Sequence, residues 1–240
     1  MFVTASLRRA LSAAAVACVA AAPVLARPIA YAHSTTAMVE YRENALREAQ
    51  VFYAPEPWLS VGLGRMEFDG HSGQHQVDID YARINLLVKR WNLEGAQANV
   101  FAWGGLGQAD IVEAVTAAPG GHNHGGPPPT TFREFSTQAT NWGGQIDFET
   151  TRLYASLKTD LQDTANYWHR VDTLELGIAP YRHEVNGLAT WLVVAASNYA
   201  GNLHEGTETA VLLRFFRKRV WLEAGSTLDG EIRSNVMISF

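Results

Sequence analysis

Cysteine is almost missing from this chain: the 240 residues hold one, Cys18, inside an apolar run near the front. One cysteine closes no intramolecular disulfide, so the fold is held without covalent staples. Cys18 could be read as a lipidation site, but Val19–Ala26 continues the apolar run beyond it, so it is expected to leave with the leader. Long apolar runs are also lacking past that point, and with a mean hydropathy of −0.09 no later segment reads as a spanning helix. Excess base is absent too: 19 Lys and Arg stand against 24 Asp and Glu, a poor balance for binding nucleic acid or anionic headgroups. Finally, there is no Gly-x-Ser-x-Gly and no His-Glu-x-x-His, and the only adjacent Ser/His pairs are His33-Ser34 and His71-Ser72. Hydrolysis needs a nucleophile with a base held beside it, or a metal-bound water, so the chain is not expected to be an enzyme.

What is present begins with a leader. Arg8 and Arg9 precede an Ala-rich apolar stretch, Leu11–Ala26, and small-residue sites follow at Val24-Leu25-Ala26 and Ala30-Tyr31-Ala32. That is the make-up of a secretory signal peptide, residues 1–32, with the cut after Ala26 or Ala32. Removing it takes away Arg8, Arg9 and Arg27 and no acid, which leaves the remainder more acidic still.

From residue 33 to 240 the dominant signal is alternation. Thr151–Leu161 sets Leu153, Ala155 and Leu157 against Arg152, Tyr154, Ser156 and Lys158. Ala45–Ala54 sets Ala49, Val51 and Tyr53 against Glu48, Gln50 and Phe52, although Arg42–Gln50 also suits a helical turn or two. His75–Trp91 changes phase near Tyr81, which predicts a bulge there or a strand running beyond a membrane. Side chains of a strand alternate faces, so each segment carries an apolar and a polar side. About twelve such segments fill the chain, all antiparallel if the short connections are hairpins. Ala109–Thr130, with its Gly120–Pro129 core, is expected to be the one long irregular loop.

The last segment, Glu231–Phe240, places Phe240, Ile238 and Val236 on one side and Ser239, Asn235 and Arg233 on the other. It stops on a terminal Phe and has the 9–11 residues a tilted strand needs to cross a bilayer. It resembles the closing strand of small Gram-negative outer-membrane β-barrels. The resemblance implies an all-β, antiparallel up-and-down transmembrane barrel of about twelve strands, with Phe240, Ile238 and Val236 as its assembly signal. It further implies outer-membrane lipid and the barrel assembly machinery as partners, both termini in the periplasm, and the long loop outside. A soluble periplasmic sandwich or lipocalin-like barrel is the alternative, since its strands alternate as well.

In the barrel, the polar series face the lumen: Glu40, Glu48, Gln50, Arg83, Lys89, Asn99, Asp147, Arg152, Lys158, Glu175, Glu223 and Arg233. Both signs occur, so these groups either pair into a plug or line a weakly selective pore. Trp191 and Tyr199, eight residues apart on one face, are expected at the two membrane interfaces. Five histidines, His71, His75, His122, His124 and His204, fall in loops on the external side, and His-x-His offers two imidazoles to one copper or zinc ion. Two functions follow: a small passive channel or transport-associated barrel with no cofactor, or a surface metal-binding or structural barrel acting through those loops.

Overall fold

The computed structural model describes residues 32–69, 75–116, 130–182 and 187–240. Of the expected signal peptide, residues 1–32, all but residue 32 lie outside the described residues. Twelve strands follow in order: β1 (Ser34–Arg42), β2 (Leu46–Glu56), β3 (Leu59–Asp69), β4 (His75–Leu93), β5 (Ala96–Thr116), β6 (Thr130–Thr150), β7 (Leu153–Thr164), β8 (Trp168–Ile178), β9 (Ala189–Gly201), β10 (Gly206–Arg217), β11 (Val220–Thr227) and β12 (Ile232–Ser239). Each pairs antiparallel with its neighbours in sequence, and β12 pairs with β1 to close the ring. At the seam Val236 lies opposite Val39 and Ile238 opposite Ala37, and Phe240 and Thr35 exchange backbone hydrogen bonds of 2.8 and 3.0 Å. Closure leaves no strand edge unpaired, as a membrane interior demands.

The start of β1 and the end of β12 lie at one rim, here the terminal end, with tight turns such as Glu94-Gly95, where Gly95 takes a φ of 71°. At the opposite rim, the loop end, β3 and β5 finish and β4 and β6 begin. Around the middle of the barrel the outward series is apolar and exposed: Leu63 is 68% exposed, Ile146 58% and Leu157 56%. Outward aromatic side chains edge this belt, Tyr53, Trp58, Trp91 and Phe240 toward the terminal end and Trp142 and Trp168 toward the other. Apolar outside, polar inside and aromatic girdles at the margins define a transmembrane β-barrel.

Toward the loop end the arrangement inverts. The outward face of β2–β4 becomes ionic, with Arg65 bonded to Asp78 at 2.8 Å and to Asp80 at 3.4 Å, and Arg47 to Glu67 at 3.8 Å. The inward face becomes apolar: Met66, Phe68, Val77, Ile79, Ala109, Ile111 and Ala139 are buried together. A sheet that projects into water must be dry inside and wet outside, the reverse of the section in lipid.

This explains the phase change near Tyr81. Val77, Ile79, Tyr81, Arg83 and Asn85 continue on one inward face without a break, and what changes is the solvent outside. The bulge lies further on, between Leu87 and Lys89. The expected loop over 109–130 is shorter than its composition predicts. β5 runs on to Thr116 and β6 restarts at Thr130, because Ala109 and Ile111 pair with Ile79 and Val77 and close the dry core. Residues 117–129 lie outside the described residues. Helix at Arg42–Gln50 is replaced by a turn at 43–45 and strand from Leu46, since Glu48 and Gln50 both point inward. Trp191 and Tyr199 are likewise buried inside, at 3% and 4% exposure, not at the membrane surface. β9 is apolar on both faces, with Leu192 and Val194 exposed outward, so its hydropathy could not say which side meets lipid.

Candidate functional site in the lumen

The inward side chains form a lumen organised in tiers. At the terminal end lies a cavity of about 380 Å³, bordered by Gln97, Glu149, Trp221 and Met237 at its rim and by Arg83, Trp103 and Lys158 deeper in. Nearer the loop end a second void holds about 30 Å³, room for roughly two waters. Glu40, Arg42 and Lys158 line both spaces and so form the partition between them. Above the smaller void the apolar core fills the bore, and Phe68 on β3 meets His169 on β8 across it with ring centroids 5.2 Å apart.

Ion pairs knit the middle of the lumen. Arg42 pairs with Glu40 at 2.7 Å and donates to the Tyr199 hydroxyl at 3.0 Å, which donates to Glu208 at 3.1 Å. Arg233 reaches the same Glu208 at 3.1 Å. Arg214 bonds Glu175 at 2.7 Å and Glu223 at 2.5 Å, and its guanidinium lies 4.7 Å from the Tyr154 ring and 4.5 Å from the Trp221 ring. Lys158 pairs with Asp160 at 2.7 Å, and Asp160 also accepts from the Trp103 indole at 2.9 Å. Arg42, Lys158, Arg214 and Arg233 thus meet the requirement that desolvation be offset by a close partner.

Three aromatic side chains reach sideways because the next strand offers no side chain. Trp103 on β5 lies over Gly143 on β6, where an added Cβ would come within 2.7 Å of the indole. Phe52 on β2 lies over Gly62 on β3, and Tyr81 on β4 over Gly64 on β3, in the same way. That path lets the Tyr81 hydroxyl reach Glu48 on β2 at 2.5 Å.

Of the twelve residues expected to face the lumen, ten do: Glu40, Gln50, Arg83, Asn99, Asp147, Lys158, Glu175, Glu223 and Arg233 border the cavity and Glu48 the smaller void, and Asn99 donates to Asp147 at 2.7 Å. Two do not. The bulge turns Lys89 outward and Arg90 inward, where Arg90 donates to Asn99 at 2.7 Å. Arg152 lies in the exposed turn before β7, donating to the carbonyls of Ala179 and Pro180 at 3.4 and 3.2 Å. Sequence reasoning gave no weight to Arg42, Glu208 and Arg214. The signal for Arg214 is a lone charge between Leu212-Leu213 and Phe215-Phe216, which only an inward position can accommodate in a lipid-facing strand.

Of the five loop histidines, His204 alone has a described side chain. His71, His122 and His124 lie outside the described residues, and so does the side chain of His75. His204 packs edge-on against Tyr199 with centroids 4.6 Å apart. Among the described residues there is no group of three or more His, Cys, Asp or Glu placed to hold a metal ion.

The class these features define is a small closed transmembrane β-barrel with a partly filled lumen. No protein-family model matches the chain, and no curated protein does. Solved structures that it resembles include the loop L8 deletion mutant of OmpT, an outer membrane protein of Vibrio cholerae, at 9% identity over 86% of this chain and 96% of that one, with a TM-score of 0.30. In-vitro folded OmpT from the same organism matches at 8% identity over 90% of this chain and 99% of that one, also with a TM-score of 0.30. At that level of likeness nothing about activity passes from one chain to the other.

Proposed function

We propose that the protein is an outer-membrane, transport-associated barrel whose lumen takes up a small solute from the terminal end and is closed at rest toward the loop end. In this reading both termini lie in the periplasm, so the 380 Å³ cavity opens there and the projecting, dry-cored section faces outside. The observation that carries it is the succession along the bore: a roomy polar cavity, the Glu40–Arg42–Lys158 partition, then packed apolar side chains. An open general pore has no reason to fill one half of its bore with Phe68, Ile79 and Ile111. A concave space of a few hundred Å³ with Phe52, Phe101, Trp103 and Trp221 among its walls has the size of a small-molecule site. No catalysis and no cofactor is assigned.

Conductance in a planar bilayer tests this. The purified barrel should show no steady porin-sized opening, whereas Phe68→Ala combined with Ile111→Ala should admit ions by hollowing the core. Steady, wide conductance of the unaltered protein would contradict closure.

A further inference from the structure

The lumen's cations are not equally neutralised. Arg42, Lys158, Arg214 and Arg233 each have a carboxylate at 3.1 Å or nearer. Arg83 does not: its nearest ion-pair partner, Glu48, stands 3.9 Å away and already accepts the Tyr81 hydroxyl. The Arg83 guanidinium is held instead by neutral amide oxygens, those of Gln50 and of Asn141, the latter at 3.4 Å. The other ends of those amides, Gln50 Nε2 and Asn141 Nδ2, and Arg83 Nε have no hydrogen-bond partner. Three donors in one cluster therefore go without an acceptor, an arrangement that costs free energy until an acceptor is supplied.

The surroundings add an apolar component. Phe52, Tyr81 and Trp103 lie 5.4, 5.5 and 5.9 Å from the Arg83 guanidinium, and Lys158 lies 5.6 Å from the far partner of that set, Trp103. On the opposite wall, five and six strands around the ring from β4, Trp191 on β9 and Phe216 on β10 border the cavity beside Arg214, whose charge Glu175 and Glu223 already neutralise.

We propose that the lumen cavity binds a small amphipathic carboxylate, its carboxylate taken by Arg83 with Gln50, which both border the cavity, and its apolar body lying between Trp103 and Trp191. The proposal rests on the reading of the cavity as a solute site and adds the chemistry of the solute. A carboxylate oxygen in place of the Gln50 amide oxygen gives the guanidinium an ionised acceptor instead of a neutral one, and the planar fork of arginine suits two such bonds. The freed amide then turns its NH₂ toward the same oxygen. The cavity has ample room for a single aromatic acid.

The test is calorimetric titration of the full barrel in non-ionic detergent with three probes of one shape: benzoate, benzamidine and benzyl alcohol. Benzoate should bind at least about tenfold more tightly than either of the others, and Arg83→Met should remove that preference. Arg65→Gln, on the outer wall, should leave it unchanged. If Arg83→Met fails to fold, the unaltered barrel still decides, because its preference among the three probes is measured without any substitution. Equal or tighter binding of benzamidine, or no binding of benzoate at millimolar concentration, overturns the proposal. A barrel that conducts steadily yet prefers benzoate refutes the closed lumen and keeps the carboxylate site; a closed barrel that prefers benzamidine does the opposite.

Discussion

At the residue scale, the lumen depends on glycines as much as on charges. The Trp103 indole reaches Asp160 only because Gly143 has no side chain beneath it. Gly143→Ala puts a methyl group against both the indole and the Thr159 carbonyl oxygen, so the ring must move and its hydrogen bond to Asp160 is lost. Overpacking of this kind costs about 1–3 kcal/mol, readable as a fall in the urea midpoint of the heat-modifiable gel band. Arg214 presents the opposite case, a charge that two carboxylates need. Arg214→Met leaves the largely buried Glu175 and Glu223 facing each other without their shared cation. Breaking a buried ion pair from one side costs about 3–5 kcal/mol. The same assay should register that loss, and Glu175→Gln with Glu223→Gln in the Arg214→Met background should restore part of it.

At the element scale, alternation told most of the story. In β7, Leu157 is exposed to the outside and Ser156 is buried inside, bonded to Glu175 at 3.3 Å, as the pattern predicts. An arginine on the lipid face near mid-membrane costs about 2–4 kcal/mol. Leu157→Arg should therefore lower stability by that order, while Ser156→Arg, landing between Asp147 and Glu175, should lose less. Unfolding of both variants in lipid vesicles gives the comparison. Alternation failed where both faces are apolar, as in β9, because burial by lipid and burial by protein select the same residues. It also failed past the Leu87–Lys89 bulge, which reverses every later side chain of β4, and nothing in Leu87-Val88-Lys89 announces an extra residue. The Arg83 cluster was only half visible: its charge shows in the sequence, but the distance to Glu48 is a product of packing. For the closing strand, the outward Val236, Ile238 and Phe240 at the seam form the patch proposed to engage the assembly machinery. Deleting Phe240 should leave export intact and cut the amount of assembled, heat-modifiable barrel; normal assembly would remove that role.

At the scale of the whole molecule, one rule accounts for both halves of the barrel: each wall turns its apolar side away from water. In the middle, water is inside and lipid outside, so Arg83 and Asn85 point in while Ile84 and Leu86 are exposed outward. Toward the loop end water is outside, so Asp78 and Asp80 point out while Val77 and Ile79 are buried. The inversion occurs along β4 within an unbroken register to β3, which makes β4 the place to test it. Because Cys18 is the only cysteine, a leaderless chain accepts single spin labels cleanly. The decisive measurement is the relaxation of labels at positions 84, 80 and 79 by oxygen and by a water-soluble paramagnetic reagent, with the barrel in lipid vesicles. The label at 84 should respond to oxygen, the label at 80 to the water-soluble reagent, and the label at 79 to neither. A label at 84 shielded from oxygen, or relaxed by the water-soluble reagent, would contradict a barrel that crosses the bilayer with this face in lipid.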